Sequence, residues 1–326
     1  MRRPAGIIVH IVDELSAPSS SQTQQPRLTR RRVLAAGIGG FVAVIAAGAG
    51  GIELVSHGVL PGKLRLDEFE GACSLPETVL RFSDVGPSSS GRFYSAHRRR
   101  MVGYTIAYPP RHTPGDELPL VVMLHGSGEN HTTAVAGMSP AQALALIVDD
   151  KPLAPMAMVT VDGGDGYWNP HPGDDPMAMV IDELIPRCAR LGLGRRPEHL
   201  ATMGISMGGY GALLLAEKNP HMFAAVAAIS PAIWTSYDQA HGANAGAYAS
   251  AEDFAAADAV THTSALAGIP IRVASGVDDP FHAGVQALDL ALPSGSVVNF
   301  SKGCHGESFF VEQEPPSLVF LGNHLN

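Results

Sequence analysis

The chain has little of what several kinds of protein depend on. Its 326 residues include three cysteines, Cys73, Cys188 and Cys304, whose spacing fits no zinc motif. An odd count leaves at least one thiol unpaired; one disulfide is possible, and the sequence does not choose its pair. Charged residues are only 16%, which argues against a disordered or nucleic-acid-binding protein. Positive charge is the scarcer sign, 22 Lys and Arg against 31 Asp and Glu, for a formal net charge of −9. Six of those arginines and only two acids fall before residue 50, so the remainder is more acidic still. Such a surface repels phosphate backbones, and nucleic acid is excluded as a partner. No internal repeat is present. What the chain does have is 45% hydrophobic residues, enough for one sizeable core.

The N-terminal region does not look like part of that core. Thr29-Arg30-Arg31-Arg32-Val33-Leu34-Ala35 resembles a twin-arginine export signal, and residues 33–52 follow without a charge. Ala47-Gly48-Ala49 offers an A-x-A cleavage site, while about 20 mildly apolar residues also suffice for a membrane tether. Cleavage and retention are both open. The expectation is a leader over 1–52, a linker over 53–75 and a single folded domain over 76–326, exported across the cytoplasmic membrane.

From residue 76 apolar runs alternate with helical patterns, as in an α/β fold with a mostly parallel eight-stranded sheet and helices on both faces. Strands are expected over 78–84, 102–108, 118–124, 156–161, 199–205, 224–229, 269–275 and 296–301. The polar stretch 86–100 joins the first two. Helices are expected over 139–148, 177–188, 206–217, 282–291 and 315–324. The Ala-, Ser- and Asp-rich insertion 231–268 suits a small cap.

The fifth strand runs into Gly204-Ile205-Ser206-Met207-Gly208-Gly209-Tyr210-Gly211, a G-x-S-x-G pattern followed by strong helix formers. A serine on so tight a strand-to-helix turn is held in a strained, exposed position beside the free amides of a new helix. Small flanking residues let the backbone pass close to its neighbours. A serine hydroxyl needs a histidine base, and the imidazole needs a carboxylate, in the chain order Ser, acid, His for this architecture. His305 follows the eighth strand between Gly303 and Gly306. Asp278 and Asp279 follow the seventh; Asp279 is preferred for its place three residues after Gly276, with Asp278 the fallback. An oxyanion hole needs two backbone amides. Met207, the residue after the serine, supplies one, and Ser127 in Leu124-His125-Gly126-Ser127-Gly128-Glu129-Asn130 supplies the other, with His125 bracing the loop. Tyr167 and Trp168, after the fourth strand, either line an acyl or alcohol pocket or plug the rim. No metal is expected: the aspartates of 162–165 lack the EF-hand pattern, and His125, His131 and His171 have no zinc spacing.

Together L-H-G-S-G at 124–128, G-I-S-M-G-G-Y-G at 204–211, G-V-D-D-P-F at 276–281 and G-C-H at 303–305 resemble the esterase D and mycolyltransferase branch of the α/β-hydrolases. The export signal and the Y-W-N-P segment at 167–170 are similar to exported actinobacterial esterases. The resemblance implies hydrolysis of a carboxylic ester, an acyl lipid or a small ester, through an acyl-enzyme on Ser206 without a cofactor. The alternative it implies is acyl transfer to a cell-envelope acceptor. Where mycolyltransferases have a D-G pair, this chain has His125-Gly126, a departure that weakens the transferase reading.

Overall fold

The computed structural model describes residues 73–325. The leader and the linker up to residue 72 lie outside the described residues. Eight strands form one sheet: β1 (Ser88–Ser95), β2 (Arg100–Ala107), β3 (Leu120–Leu124), β4 (Ala157–Val161), β5 (Leu200–Ile205), β6 (Ala225–Ile229), β7 (Ile271–Gly276) and β8 (Val297–Ser301). Their spatial order is β1-β2-β4-β3-β5-β6-β7-β8. β2 is antiparallel to both neighbours, and every pair from β4 to β8 is parallel. Parallel strands buried on both faces need continuous apolar runs, and β3 (LVVML), β4 (AMVTV) and β6 (AVAAI) are buried along their whole length.

The first strand is not where the sequence pattern placed it. Residues 78–84 make a single bridge, Phe82 to Leu146, and the polar stretch that was expected to be a connection is itself β1. β1 is an edge strand with mostly exposed residues, so it needs no apolar alternation to be stable there.

Two hydrophobic clusters lie on the two faces of the sheet. One holds α3 (Met207–Lys218), α6 (His282–Ala291) and the helical run through the π-turn Met179–Leu184 into α2 (Ile185–Arg190). The π-turn lies just before Pro186, which has no N–H to give to a regular ladder. The other cluster holds α1 (Pro140–Leu144) and α7 (Glu307–His324). α1 starts on a capping box between Ser139 and Gln142 and ends early; Ile147–Val148, expected to be helical, pairs with Lys151–Pro152 instead. α7 starts eight residues before the expected 315 and carries Pro315 and Pro316 inside it. Phe309, Gln313, Ser317, Leu318 and Leu321 are buried along one side, and that burial outweighs the two lost amide donors.

The insertion 231–268 contains α4 (Tyr237–Ala243), α5 (Ala251–Ala256) and a 3-10 turn, Thr263–Leu266. Among the described residues no helix is long and apolar enough to cross a membrane.

Candidate active site

Ser206 sits between β5 and α3 with φ 57° and ψ −120°, a conformation that non-glycine residues rarely adopt. Its backbone is held from both sides. The Ser206 amide donates to Ile229 O at 2.9 Å, and its carbonyl accepts from Tyr210 N at 3.1 Å and Ala232 N at 3.0 Å. The elbow also needs two glycines. A Cβ on Gly204 would stand 2.1 Å from Gly208 O, and one on Gly208 would stand 2.0 Å from Leu124 O. Both therefore work through close approach of backbone to backbone.

Ser206, His305 and Asp279 come from the C-terminal ends of β5, β8 and β7, on the rim where open parallel sheets build their sites. Ser206 Oγ lies 2.8 Å from His305 Nε2, and His305 Nδ1 lies 2.9 Å from Asp279 Oδ2. In the neutral imidazole, Nδ1–H donates to the carboxylate and Nε2 is left to accept from the serine hydroxyl. The Asp279 side chain is fully buried, and its Oδ1 accepts the Phe281 amide at 2.8 Å, which fixes the carboxylate plane. Of the two adjacent aspartates, Asp279 is the one on the imidazole. The His305 ring is flanked edge-on by Phe281 and Phe310, with centroids 5.0 and 5.2 Å away.

The loop after β3 reaches the same place. A Cβ on Gly126 would stand 3.6 Å from Ile205 O, so this loop passes directly beside the elbow. His125 is buried, with Nδ1 2.7 Å from Gly126 O and Nε2 accepting the Gly163 amide at 2.8 Å. Burial lowers its pKa, so it stays neutral in one tautomer and braces the loop. Met207 supplies the first amide of α3, ahead of the intrahelical ladder.

Tyr167 and Trp168 follow β4 and are both buried. Trp168 is 1% exposed, packs its ring on that of His125 and donates Nε1–H to His125 O at 3.2 Å. Tyr167 is also buried, and its hydroxyl accepts from Trp234 Nε1–H at 2.7 Å. Both side chains pack inward in this structure, Tyr167 being 5% exposed. Half-buried aromatic rings near the relay are Phe281 and Phe310, which follow the acid and the base in sequence, and Trp234, for which the sequence carries no signal. Trp234 lies in the insertion, which the strand pattern did not bring to the rim, and Phe310 lies in α7, five residues after His305.

A disulfide joins Cys73 to Cys304, the residue before His305, and Cys188 is a buried free thiol whose pKa burial pushes up to about 12. No group of His, Cys, Asp and Glu among the described residues has metal-binding geometry.

A family model described as "Putative esterase" matches residues 95–291. The chain belongs to this esterase family. Solved structures agree on the α/β-hydrolase fold. A ferulic acid esterase superposes with a TM-score of 0.60 at 18% identity, covering 74% of this chain and 99% of its own. A fluorophosphonate-binding serine hydrolase of Staphylococcus aureus gives 0.59 at 15%, covering 74% and 100%. An S-formylglutathione hydrolase of Agrobacterium tumefaciens gives 0.57 at 17%, covering 77% and 100%. No curated protein sequence matches the chain. Membership in the family supports ester hydrolysis as the general activity of this esterase.

Proposed function

We propose that this esterase hydrolyses carboxylic esters through an acyl-serine intermediate on Ser206. The observation that carries the reading is the hydrogen-bonded relay Ser206–His305–Asp279 on a strained elbow at the sheet rim. His305 Nε2 takes the hydroxyl proton as Ser206 Oγ attacks the ester carbonyl, and Asp279 stabilises the imidazolium that forms. The amides of Met207 and Ser127 receive the oxyanion of the tetrahedral intermediate. His305 then returns the proton to the leaving alcohol, and a water activated by the same imidazole releases the acid and regenerates the serine. No step requires a cofactor.

Export to a compartment outside the cytoplasm is part of the same proposal. It rests on the arginine-rich signal pattern at 29–35 and is in keeping with a disulfide, a bond that persists in oxidising compartments. Arg30→Lys with Arg31→Lys is expected to leave the full-length protein inside the cell, and unchanged delivery would remove this part of the reading.

The catalytic reading is tested with p-nitrophenyl acetate and butyrate. Ser206→Ala is expected to lower kcat by at least about 10⁴-fold and to abolish labelling by a fluorophosphonate probe. Labelling retained in that variant would exclude Ser206 as nucleophile. Acyl product appearing on an added acceptor alcohol in preference to water would redirect the assignment to acyl transfer.

A further inference from the structure

Two carboxylates that the reaction scheme leaves unused flank the proposed oxyanion donor. Glu129 Oε2 accepts the Gly126 amide at 2.8 Å, and the Glu129 amide donates back to Gly126 O at 3.3 Å. On the other side, Asp165 Oδ1 accepts the Gly128 amide at 2.6 Å and the Ser127 hydroxyl at 3.2 Å. The amides before and after Ser127 are thus each held by a side chain. The peptide between them is pinned at both ends. Asp165 follows β4, and its own carbonyl accepts from Asn244 Nδ2 at 2.8 Å, which ties the arrangement to the end of α4.

An anionic side chain near a developing oxyanion opposes it electrostatically, so a carboxylate at this position needs a compensating role. Exposed glycine-rich turns otherwise sample many conformations, and Gly128 with φ 77° has no steric restraint of its own. An amide donor contributes to catalysis only if it is already aimed where charge will appear. Each carboxylate removes one competing direction. With Gly126 N–H and Gly128 N–H engaged, Ser127 N–H is the amide of the three that the clamp leaves for substrate.

We propose that Glu129 and Asp165 are positioning residues, a carboxylate clamp that presents the Ser127 amide to the oxyanion formed on Ser206. This rests on the serine-esterase reading above. It assigns a purpose to the H-G-S-G-E and D-G-G-D segments, and it makes the insertion, through Asn244, a part of the oxyanion machinery.

The test uses the full chain, p-nitrophenyl butyrate as substrate and an aryl trifluoromethyl ketone, which adds to the serine as an oxyanion-bearing hemiketal. Glu129→Ala and Asp165→Ala are each expected to lower kcat by about 10- to 100-fold, less than direct loss of a donor, with KM changed by less than about threefold. The affinity for the ketone should fall in parallel with kcat/KM. Glu129→Gln and Asp165→Asn keep an acceptor oxygen at each position and are expected to recover most of the activity. Thermal melts separate a folding defect from a positioning one. The proposal is overturned if both alanine variants keep kcat within twofold of wild type. It is also overturned if the amide variants are no better than alanine, or if kcat falls while ketone affinity does not. Ser206→Ala is assayed alongside. Activity in that variant would dismiss the serine reading, whereas an inactive Ser206→Ala with unaffected clamp variants dismisses the clamp alone.

Discussion

Two adjacent aspartates with different surroundings show how much one residue's place decides. Asp279 is fully buried with one oxygen on His305 and the other on the Phe281 amide, while Asp278 is half-buried with its amide on Gly303 O. Asp279→Asn keeps the shape but offers an amide in place of the carboxylate, so the imidazole is held in the wrong tautomer and its cation loses a counter-charge. kcat for p-nitrophenyl butyrate should drop about 10⁴-fold, against less than about tenfold for Asp278→Asn. The reverse order in the two variants would refute the placement of the acid.

Buried carboxyls away from the relay carry a different consequence. Glu217, in α3, has both oxygens buried without a hydrogen-bond partner, and burial reinforced by Asp258 pushes its pKa up to about 8, with Lys218 opposing. Glu314, in α7, gives one oxygen to the Ala136 amide and keeps the other unpartnered; burial, with Glu129 and Glu307 adding like charge, pushes it also to about 8. The folded state therefore holds both protons where the unfolded chain, titrating near 4.5, has released them. These groups favour folding fully below about pH 4.5, and that contribution is lost as pH rises toward 8, then stays constant. Their contribution to the melting temperature should fall from pH 5 to 8, against a rise up to about pH 6.5 from buried, neutral His125. Glu217→Gln, neutral throughout, should flatten that slope and melt higher than wild type at pH 8. Equal slopes in wild type and variant would contradict the assignment of Glu217.

At the scale of elements, what could be read from sequence is what depends on local chemistry. The continuous apolar runs of β3, β4 and β6 announce strands buried on both faces, and the G-x-S-x-G turn between β5 and α3 has its serine in the expected strained conformation. The elements misplaced are those whose stability comes from elsewhere. β1 is polar because it lies at an edge, so an apolar criterion chose residues 78–84 instead. Pro315 and Pro316 look like a helix start, yet α7 runs through them because its burial against the sheet outweighs local propensity. Trp234 reaches Phe281, and through it the vicinity of His305, from an insertion with no motif of its own, and no spacing rule anticipates that contact. Tyr167 and Trp168 stand at the right end of β4 but turn inward, and side-chain direction is not encoded by position along the chain.

Across the whole molecule, the Cys73–Cys304 bond is the longest-range covalent constraint, linking positions 231 residues apart. Its partners could not be chosen from three cysteines, because pairing depends on which loops the fold brings together. The bond fastens the segment ahead of β1 to the residue preceding His305. Two effects follow from one link. Closing so long a loop restricts the unfolded chain, and its removal should cost about 2–5 kcal/mol of stability. The His305 loop also loses an anchor, leaving Gly303 O with the Asp278 amide and Ser301 O with the Val277 amide to hold its approach. Cys73→Ser is therefore expected to lower both the melting temperature and kcat, the latter by several-fold with KM little changed, since a displaced imidazole weakens proton transfer more than ester binding. Incubating the wild type with a dithiol reductant should reproduce the Cys73→Ser values and leave that variant unaffected. A wild type that keeps full kcat after verified reduction would show that the bond stabilises the fold without aligning the base.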